Sequence, residues 1–268
     1  MATTTHDNMS FLEHLEELRW HIIRSLIAII TAGFICFLMK DFIFDTIIFG
    51  PKKMDFPTYK FLCQAANFIG VETTFCGDEF PFTVQNRTMA GQFSAHVMTS
   101  IIAGFIISFP YVLYEFWKFI SPGLLDKEKS KSRGFIFISS LLFFIGVLFG
   151  YYIICPLSIN FLGTYQVSSE VLNEIDLGSF ISLVRSSAIA SGIIFELPIV
   201  IYFLTKAGVV TPESLIKYRK YALVLVLILA AIITPPDVAS QIIVAIPIVV
   251  LYQVSIFISR IVVKNQAK

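Results

Sequence analysis

The chain has 268 residues, of which 56% are hydrophobic and only 15% are charged. An ordinary soluble domain carries about 25% charged residues, so this composition excludes a soluble enzyme of the usual type and also excludes intrinsic disorder. The formal net charge of +1 gives no reason to expect nucleic-acid binding, and four Cys are too few for a disulfide scaffold.

Long apolar segments that do not alternate with polar residues predict membrane-spanning helices rather than the strands of a barrel. A spanning helix needs about 20 mostly apolar residues, and lipid cannot satisfy the backbone polar groups of other conformations. Spans are predicted at about 22–39, 93–117, 134–157, 182–205, 221–234 and 238–259. The chain, 1–268, is then one all-α polytopic membrane domain. The fifth span is short, because its 14 residues reach roughly 21 Å.

Lys and Arg residues near the span ends predict the orientation, because they favour the cytoplasmic side of a membrane. Fourteen of the 20 basic residues fall on one side, at the two termini and in the loops after the second and fourth spans. Five others share the long loop at about 40–92 on the opposite side. Both termini are therefore predicted to be cytoplasmic. The acidic residues before the first span argue against a cleavable signal peptide.

An amphipathic helix is predicted just ahead of the first span. Its apolar stripe follows helical spacing at Phe11, Leu15, Leu18 and Ile22. Glu13, Glu16 and Glu17 gather on the other side. This acidic side has two interpretations, a solvated face or a cytoplasmic anion cluster that receives a basic peptide.

Motifs occur in order along the chain at 14–19 (HLEELR), 109–111 (FPY), 116–124 (FWKFISPGL), 195–198 (FELP) and 234–238 (TPPDV). The last is followed by SQ at 240–241 and AIP at 245–247. This series resembles the TatC family, the multi-spanning signal-peptide receptors of the twin-arginine (Sec-independent) protein translocase. The resemblance covers about 11–260. It implies a cup-shaped bundle of six membrane-spanning helices with both termini cytoplasmic.

The resemblance also implies a function. The chain would bind twin-arginine signal peptides and nucleate assembly of the complex that exports folded proteins, driven by the proton-motive force, in the bacterial inner membrane. The family's two recognition carboxylates are matched by Glu17 and by Glu128 of the first cytoplasmic loop. Carboxylates suit paired arginines because guanidinium forms planar, bidentate hydrogen bonds. Glu16 is a third candidate carboxylate, and Arg19 belongs to the same motif.

Glu196 lies near the middle of the fourth span, where an ionisable group is a functional hypothesis by default. Arg185 lies eleven residues earlier, about 16 Å along the axis, so the two share a face without touching. Pro198 predicts a kink beside Glu196. The resemblance places the equivalent carboxylate on the concave face of the bundle, where it polarises the membrane. The alternative is that Glu196 satisfies a neighbouring helix.

Partner subunits are a further implication of the resemblance. Family members bind single-span subunits of the TatA and TatB type along the fifth and sixth helices, and the complex contains several copies of the receptor. Thr234 and Gln241 match polar positions of that edge, and polar side chains bond across helices in lipid. The alternative assigns Thr234 to a helix cap and Gln241 to the membrane interface.

Two cysteines, Cys63 and Cys76, share the long outer loop. That side is oxidising in bacteria with a periplasm, so a disulfide is expected. Cys36 and Cys155 fall in or near spans and are expected to serve packing. The sequence contains no H-E-x-x-H, G-x-S-x-G or P-loop pattern, so we expect neither a cofactor nor a metal site, and an enzyme is not favoured.

Two other functions compete with the translocase subunit. A proton-coupled secondary transporter would use Glu196 as its proton site, but the inverted repeats and paired broken helices of that class are not evident. An intramembrane enzyme would need catalytic pairs within the spans, which are not visible. A translocase subunit would co-purify with small single-span proteins, whereas a transporter would not need them.

Overall fold

The computed structural model describes residues 11–70, 74–77, 79–120, 132–168, 170–234 and 238–266. Within these ranges, five helical segments are long and apolar enough to cross a membrane. They are Leu15–Leu38, Gly91–Ile120, Gly134–Thr164, Leu177–Lys206 and Ser240–Gln266. Each contains most of one predicted span. The structure is therefore that of a mostly helical membrane protein, as the composition predicts.

The helices of the described residues, in chain order, are α1 (Phe11–Leu38), α2 (Pro57–Ile69), α3 (Gly91–Ile120), α4 (Ser132–Phe149), α5 (Cys155–Thr164), α6 (Leu177–Phe195), α7 (Leu197–Lys206), α8 (Pro212–Lys217), α9 (Arg219–Ile233) and α10 (Val238–Gln266). The π-helical stretches Phe42–Ile48 and Gly150–Ile154 follow α1 and join α4 to α5. Short 3-10 turns lie at Gly50–Lys52 and Thr74–Cys76. The same ranges contain the strands β1 (Phe82–Gln85) and β2 (Asn173–Asp176).

The fifth predicted span coincides with α9, which has 15 residues. At 1.5 Å per residue it reaches about 22 Å, short of the roughly 30 Å of hydrocarbon. Length and composition alone therefore do not qualify α9 as a span. The count of six spans stays a prediction.

Strands β1 and β2 are an addition to the predicted all-α architecture. They pair in parallel, with Phe82 opposite Asn173 and Gln85 opposite Asp176. An ion pair joins Arg87, just beyond β1, to Glu174 of β2 at 3.0 Å. Because α3 and the α4–α5 segment lie between the strands in sequence, the pairing indicates an even number of membrane crossings between them.

The chain divides into two compact units, Met1–Lys40 with His96–Ser140, and Asp41–Ala95 with Leu141–Lys268. In the first unit α1 crosses α3 where two glycines meet. A Cβ atom on Gly104 would lie 2.5 Å from the backbone nitrogen of Gly33 and 2.6 Å from the carbonyl oxygen of Ile29. The glycines therefore allow the two backbones to approach closely, which is how small residues bring helices together in lipid.

In the second unit, α9 and α10 pack around an apolar core that also contains Ile154. Its buried residues are Ile154, Val226, Ala230, Val244, Ala245 and Ile248. Helix α7 packs on α10, where the hydroxyl of Thr205 donates to that of Ser259 at 2.9 Å. Such buried hydroxyl pairs hold helices together in lipid, where apolar contact alone gives no preference over the lipid chains.

Local sequence signals explain several helix boundaries. Helix α2 begins with Pro57 in its first turn and is capped at its end by Gly70, whose φ of 76° is in the left-handed region that favours glycine. The Asp176 carboxylate caps α6 by accepting from the backbone nitrogens of Gly178 and Ser179. The helix of the fourth span is broken between α6 and α7, beside Pro198. This break agrees with the kink predicted from that proline.

The segment between α1 and α3 is folded around a buried tyrosine, Tyr59 of α2. Its hydroxyl donates to the carbonyl oxygens of Pro51 and Pro156, at 2.9 and 3.0 Å. Aromatic rings of Phe56, Phe75 and Phe80 surround it. Burial raises the pKa of the Tyr59 hydroxyl above its ordinary value. The sequence predicts only a long loop in this region, whereas the structure shows an ordered helix and its aromatic support.

Candidate functional site

The acidic residues predicted for peptide binding lie in the first turns of α1, which runs without a break from Phe11 into the first span. Glu16 is exposed and Glu17 is half-buried. Arg19 is exposed, and its guanidinium lies 5.7 Å from the ring centroid of the adjacent Trp20. The structure thus places two carboxylates at the start of a membrane-spanning helix.

The second predicted recognition carboxylate, Glu128, lies outside the described residues. The described part of the chain ends at Ile120 on one side of it and resumes at Ser132 on the other. The role of Glu128 therefore rests on the sequence motif alone.

A third carboxylate, Glu115 of α3, is not predicted from the sequence and occupies a central position beside α1. Glu115 is only 3% exposed. Its Oε2 lies 2.6 Å from Nδ1 of His21 and 3.9 Å from Nη1 of Arg24, and it accepts a hydrogen bond from the hydroxyl of Tyr111. The ring of His21 also packs edge-on against Phe119, with ring centroids 6.1 Å apart. These contacts join the beginning of α1 to the end of α3.

The sequence offers one indication of the importance of Glu115, which is the single acidic residue within the second predicted span. An acid inside a span needs a partner, because an uncompensated charge in lipid is costly. His21 and Arg24 stand four and seven residues after Glu17, so the three share one face of α1. The sequence contains this spacing, but only the structure shows which helix supplies the carboxylate.

Glu196 lies at the break in the fourth span, between α6 and α7. It is half-buried, and its carbonyl oxygen accepts from the backbone nitrogens of Ile199 and Val200 at 2.9 and 3.0 Å. Pro198, in the first turn of α7, is buried. The backbone of Glu196 thus begins a new helix in the middle of a span, and its side chain stands at an interruption of regular structure.

Arg185 lies in α6, in the first half of the same span. It is half-buried, and its Nε and Nη1 atoms are buried without a hydrogen-bond partner among the described residues. A buried donor that lacks a partner raises the free energy of the folded state by about 1–3 kcal/mol.

The two residues predicted to contact partner subunits both have bonds within this chain. Thr234 is buried, and its hydroxyl donates to the carbonyl oxygen of Ala230 at 2.8 Å. The amide nitrogen of Gln241, in α10, donates to the carbonyl oxygen of Leu227, in α9, at 3.1 Å. Both bonds therefore brace the short helix α9. The exposed surface of α9 includes the apolar residues Val224, Ile228 and Ile232.

The cysteines of the α1–α3 segment are close together. The structure joins Cys63 and Cys76 as a disulfide, with Cα atoms 5.2 Å apart. Cys36 and Cys155 are buried free thiols within the described residues, in agreement with a packing role. In that same part of the chain, there is no group of three or more His, Cys, Asp or Glu side chains that could hold a metal ion.

Comparison with known proteins decides the family. The family model described as Sec-independent protein translocase protein (TatC) matches residues 13–247. The chain belongs to the TatC family. The predicted resemblance is confirmed, and the chain is a multi-pass membrane protein of a protein translocase family. Family membership supports the translocase interpretation and gives no support to the proton-coupled transporter.

Individual relatives cover the chain almost completely. The chain is 47% identical to TatC of Blattabacterium sp. subsp. Periplaneta americana (strain BPLAN), over 97% of this chain and 98% of the relative. It is 35% identical to TatC of Aquifex aeolicus (strain VF5), over 96% of this chain and 98% of the relative. A crystal structure of the twin arginine translocase receptor TatC matches with a TM-score of 0.69 and 33% identity, covering 94% of this chain and 100% of that chain. The fold of this chain is thus the TatC fold.

Proposed function

We propose that this TatC-family chain is the subunit that binds twin-arginine signal peptides and nucleates assembly of the complex exporting folded proteins. The observation that carries the proposal is the position of Glu16 and Glu17, at the start of the helix that becomes the first span. A signal peptide whose apolar segment enters the membrane, with its basic end left at the surface, would place its arginines beside Glu16 and Glu17. Arg19 and Glu128 belong to the same proposed site.

The contacts of Glu115 support this assignment. Two basic residues that follow Glu17 on the same face of α1, His21 and Arg24, both lie beside the Glu115 carboxylate. Glu115 therefore offsets the positive charge of Arg24, which would otherwise weaken the attraction of Glu17 for a guanidinium. The guanidinium groups of twin arginines can then bond to the Glu17 carboxylate in a planar, bidentate geometry, which Lys cannot form.

Crosslinking and binding measurements test the proposal. A photoreactive residue beside Glu17 is expected to crosslink to a signal peptide with two Arg and not to the same peptide with two Lys. Glu17→Ala is expected to lower the affinity for the two-Arg peptide at least tenfold. Glu213→Ala is the matched control, because Glu213 is an exposed glutamate on another helix, α8. Equal crosslinking to both peptides, or unchanged affinity in Glu17→Ala, would refute the receptor function at this site.

Glu196 is proposed to act in transport rather than in peptide binding. Its place at a helix break within a span supports this role, because irregular backbone at membrane depth occurs where it is buried in protein or lines a watery cavity. Glu196→Gln is expected to leave the affinity for the two-Arg peptide unchanged while export falls. Normal export by a normally abundant Glu196→Gln protein would exclude the role.

The location and partners complete the proposal. The chain lies in the bacterial cytoplasmic membrane as a six-span polytopic domain, with both termini cytoplasmic, and forms homo-oligomers within the complex. TatA- and TatB-type single-span subunits bind along α9 and α10, near Thr234 and Gln241. The exposed apolar surface of α9 supports this contact. Crosslinking from Ile232 to a single-span subunit tests it, with Ile138, an exposed residue of α4, as the control position.

A further inference from the structure

Helix α2 carries two phenylalanines on the face opposite to its buried residues. Tyr59 and Ala66 are buried, whereas Phe61 and Phe68 expose 69% and 93% of their surface. Phe68 follows Phe61 by seven positions, so the two lie on one face, about two turns apart. The same side of the helix also exposes polar residues, namely Lys60, Gln64 and Asn67. An apolar pair flanked by polar side chains is typical of a helix that lies in a membrane interface.

The first turn of α2 is attached to a membrane span. The hydroxyl of Thr58 donates to the carbonyl oxygen of Tyr152, and that of Tyr59 donates to the carbonyl oxygen of Pro156. Both acceptors belong to the span Gly134–Thr164. At 1.5 Å per residue they lie about 27 and 33 Å along the axis from Gly134, where a hydrocarbon layer of about 30 Å that begins near Gly134 would end. The attachment therefore holds α2 at the boundary of the bilayer.

The exposed face of the same span leads to α2. Its exposed apolar residues follow helical spacing at Leu141, Ile145, Leu148 and Tyr152. Such a stripe on a span is suited to contact with lipid chains. The stripe ends at Tyr152, whose ring stacks on Phe56 with centroids 5.4 Å apart, one residue before α2 begins. The exposed phenylalanines of α2 thus continue an apolar surface that starts within the span.

The rotation of α2 about its own axis is fixed by its other contacts. The disulfide from Cys63 to Cys76 ties its middle to the 3-10 turn that follows. Tyr59 packs among aromatic rings on the buried side. The helix therefore cannot turn Phe61 and Phe68 inward without breaking these contacts, so the pair stays on the outer surface of the described residues.

We propose that α2 lies in the bilayer surface and inserts Phe61 and Phe68 among the lipid acyl chains, in the leaflet at the Thr164 end of the span. Lys60, Gln64 and Asn67 remain at headgroup level, where a Lys side chain extends its charge toward water. The occupant of this face is lipid, because the helix begins at the membrane boundary and continues the apolar stripe of a span.

Depth-dependent fluorescence quenching tests the proposal on the full-length protein. Phe61→Trp and Phe68→Trp variants are placed in vesicles of phosphatidylcholine brominated on its acyl chains, and the signal of the two natural Trp is subtracted using the parent protein. Glu170→Trp is the control, because Glu170 is an exposed polar residue outside α2. Brominated lipid is expected to quench the Trp at positions 61 and 68 at least twofold more strongly than the control, and aqueous iodide is expected to show the reverse order.

Two results would overturn the proposal. Strong quenching by iodide with weak quenching by brominated lipid, at both positions, would place this face of α2 in water. Protection from both quenchers would indicate that a protein subunit covers the face instead of lipid. Either result leaves the signal-peptide measurements on Glu17 unaffected, so the two sets of conclusions are separable.

Discussion

The contact between His21 and Glu115 gives a quantitative prediction about how α1 is held against α3. Glu115 is 3% exposed and has polar groups of Tyr111, His21 and Arg24 beside it. Removal of one partner from a buried ion pair destabilises a protein by about 3–5 kcal/mol, because the other charge stays buried. His21→Ala is therefore expected to lower the free energy of unfolding by about 3 kcal/mol, the lower end of that range, since Tyr111 and Arg24 remain.

The reciprocal change is expected to be milder. Glu115→Gln leaves an amide oxygen that can still accept a hydrogen bond from Nδ1 of His21, so the loss is only the charge-assisted part, about 1 kcal/mol. In the double variant there is no buried carboxylate left without its histidine, and we expect a loss of about 2 kcal/mol rather than the sum of about 4 kcal/mol that additivity gives. The coupling energy between the two residues is then about 2 kcal/mol.

A double-mutant cycle measures this coupling, with reversible unfolding followed by circular dichroism in mixed detergent micelles. The control cycle pairs Glu115→Gln with Thr31→Ala. The hydroxyl of Thr31 donates to the carbonyl oxygen of Ile27 on its own helix, and Thr31 lies ten residues, or about 15 Å, beyond His21. The control is expected to be additive within about 0.5 kcal/mol. A coupling below this value for His21 and Glu115, or a larger loss for Glu115→Gln than for His21→Ala, would refute the reasoning.

Three further predictions concern helix packing, the half-buried Arg185 and the disulfide. Gly104→Ala places a Cβ against backbone and is expected to lower the free energy of unfolding by about 1–3 kcal/mol. Gly134→Ala is the control, because its Cβ meets open space, and it is expected to be neutral or stabilising. Thermal unfolding of the two variants measures the difference. Arg185→Met is expected to raise the unfolding free energy by about 1–3 kcal/mol by removing buried donors that lack a partner among the described residues, and a loss of stability would contradict that account. The double variant Cys63→Ser, Cys76→Ser is expected to lower the free energy of unfolding by about 3 kcal/mol. Alkylation of both thiols in the unreduced parent protein would exclude the disulfide in the membrane.

The positions of the five long apolar helices could be predicted because hydropathy is a local property of the sequence. The helix break beside Pro198 could be predicted for the same reason, since the missing backbone donor acts on its own helix. The length of α9 is also readable from the spacing of its flanking residues. In each case the residues that decide the structure are neighbours in the chain.

The features that escaped prediction depend on distant residues. Glu115 pairs with His21, 94 positions away, and nothing near Glu115 in sequence indicates that partner. Strands β1 and β2 have four residues each and pair across two spans. Helix α2 lies in a stretch that is too short and too mixed to be recognised as a span. The proposed peptide-binding residues Glu16 and Glu17 thus follow from a sequence motif, whereas the contacts of the buried Glu115 are seen only in the structure.

The pairing of β1 with β2 has a consequence for the order in which the chain matures during synthesis. The partner of β1 emerges only after α3, α4 and α5 have been made, and Tyr59 of α2 likewise waits for Pro156. Until then, Tyr59 lacks one of its two carbonyl acceptors and Phe56 lacks the rings of Tyr151 and Tyr152. Closing so long a loop is slow. Once the strands pair and the disulfide forms, neither of the two spans between them can reverse its direction in the membrane without breaking the pairing. Pairing of β1 with β2, late in folding, therefore fixes the direction of the two spans that lie between the strands in sequence.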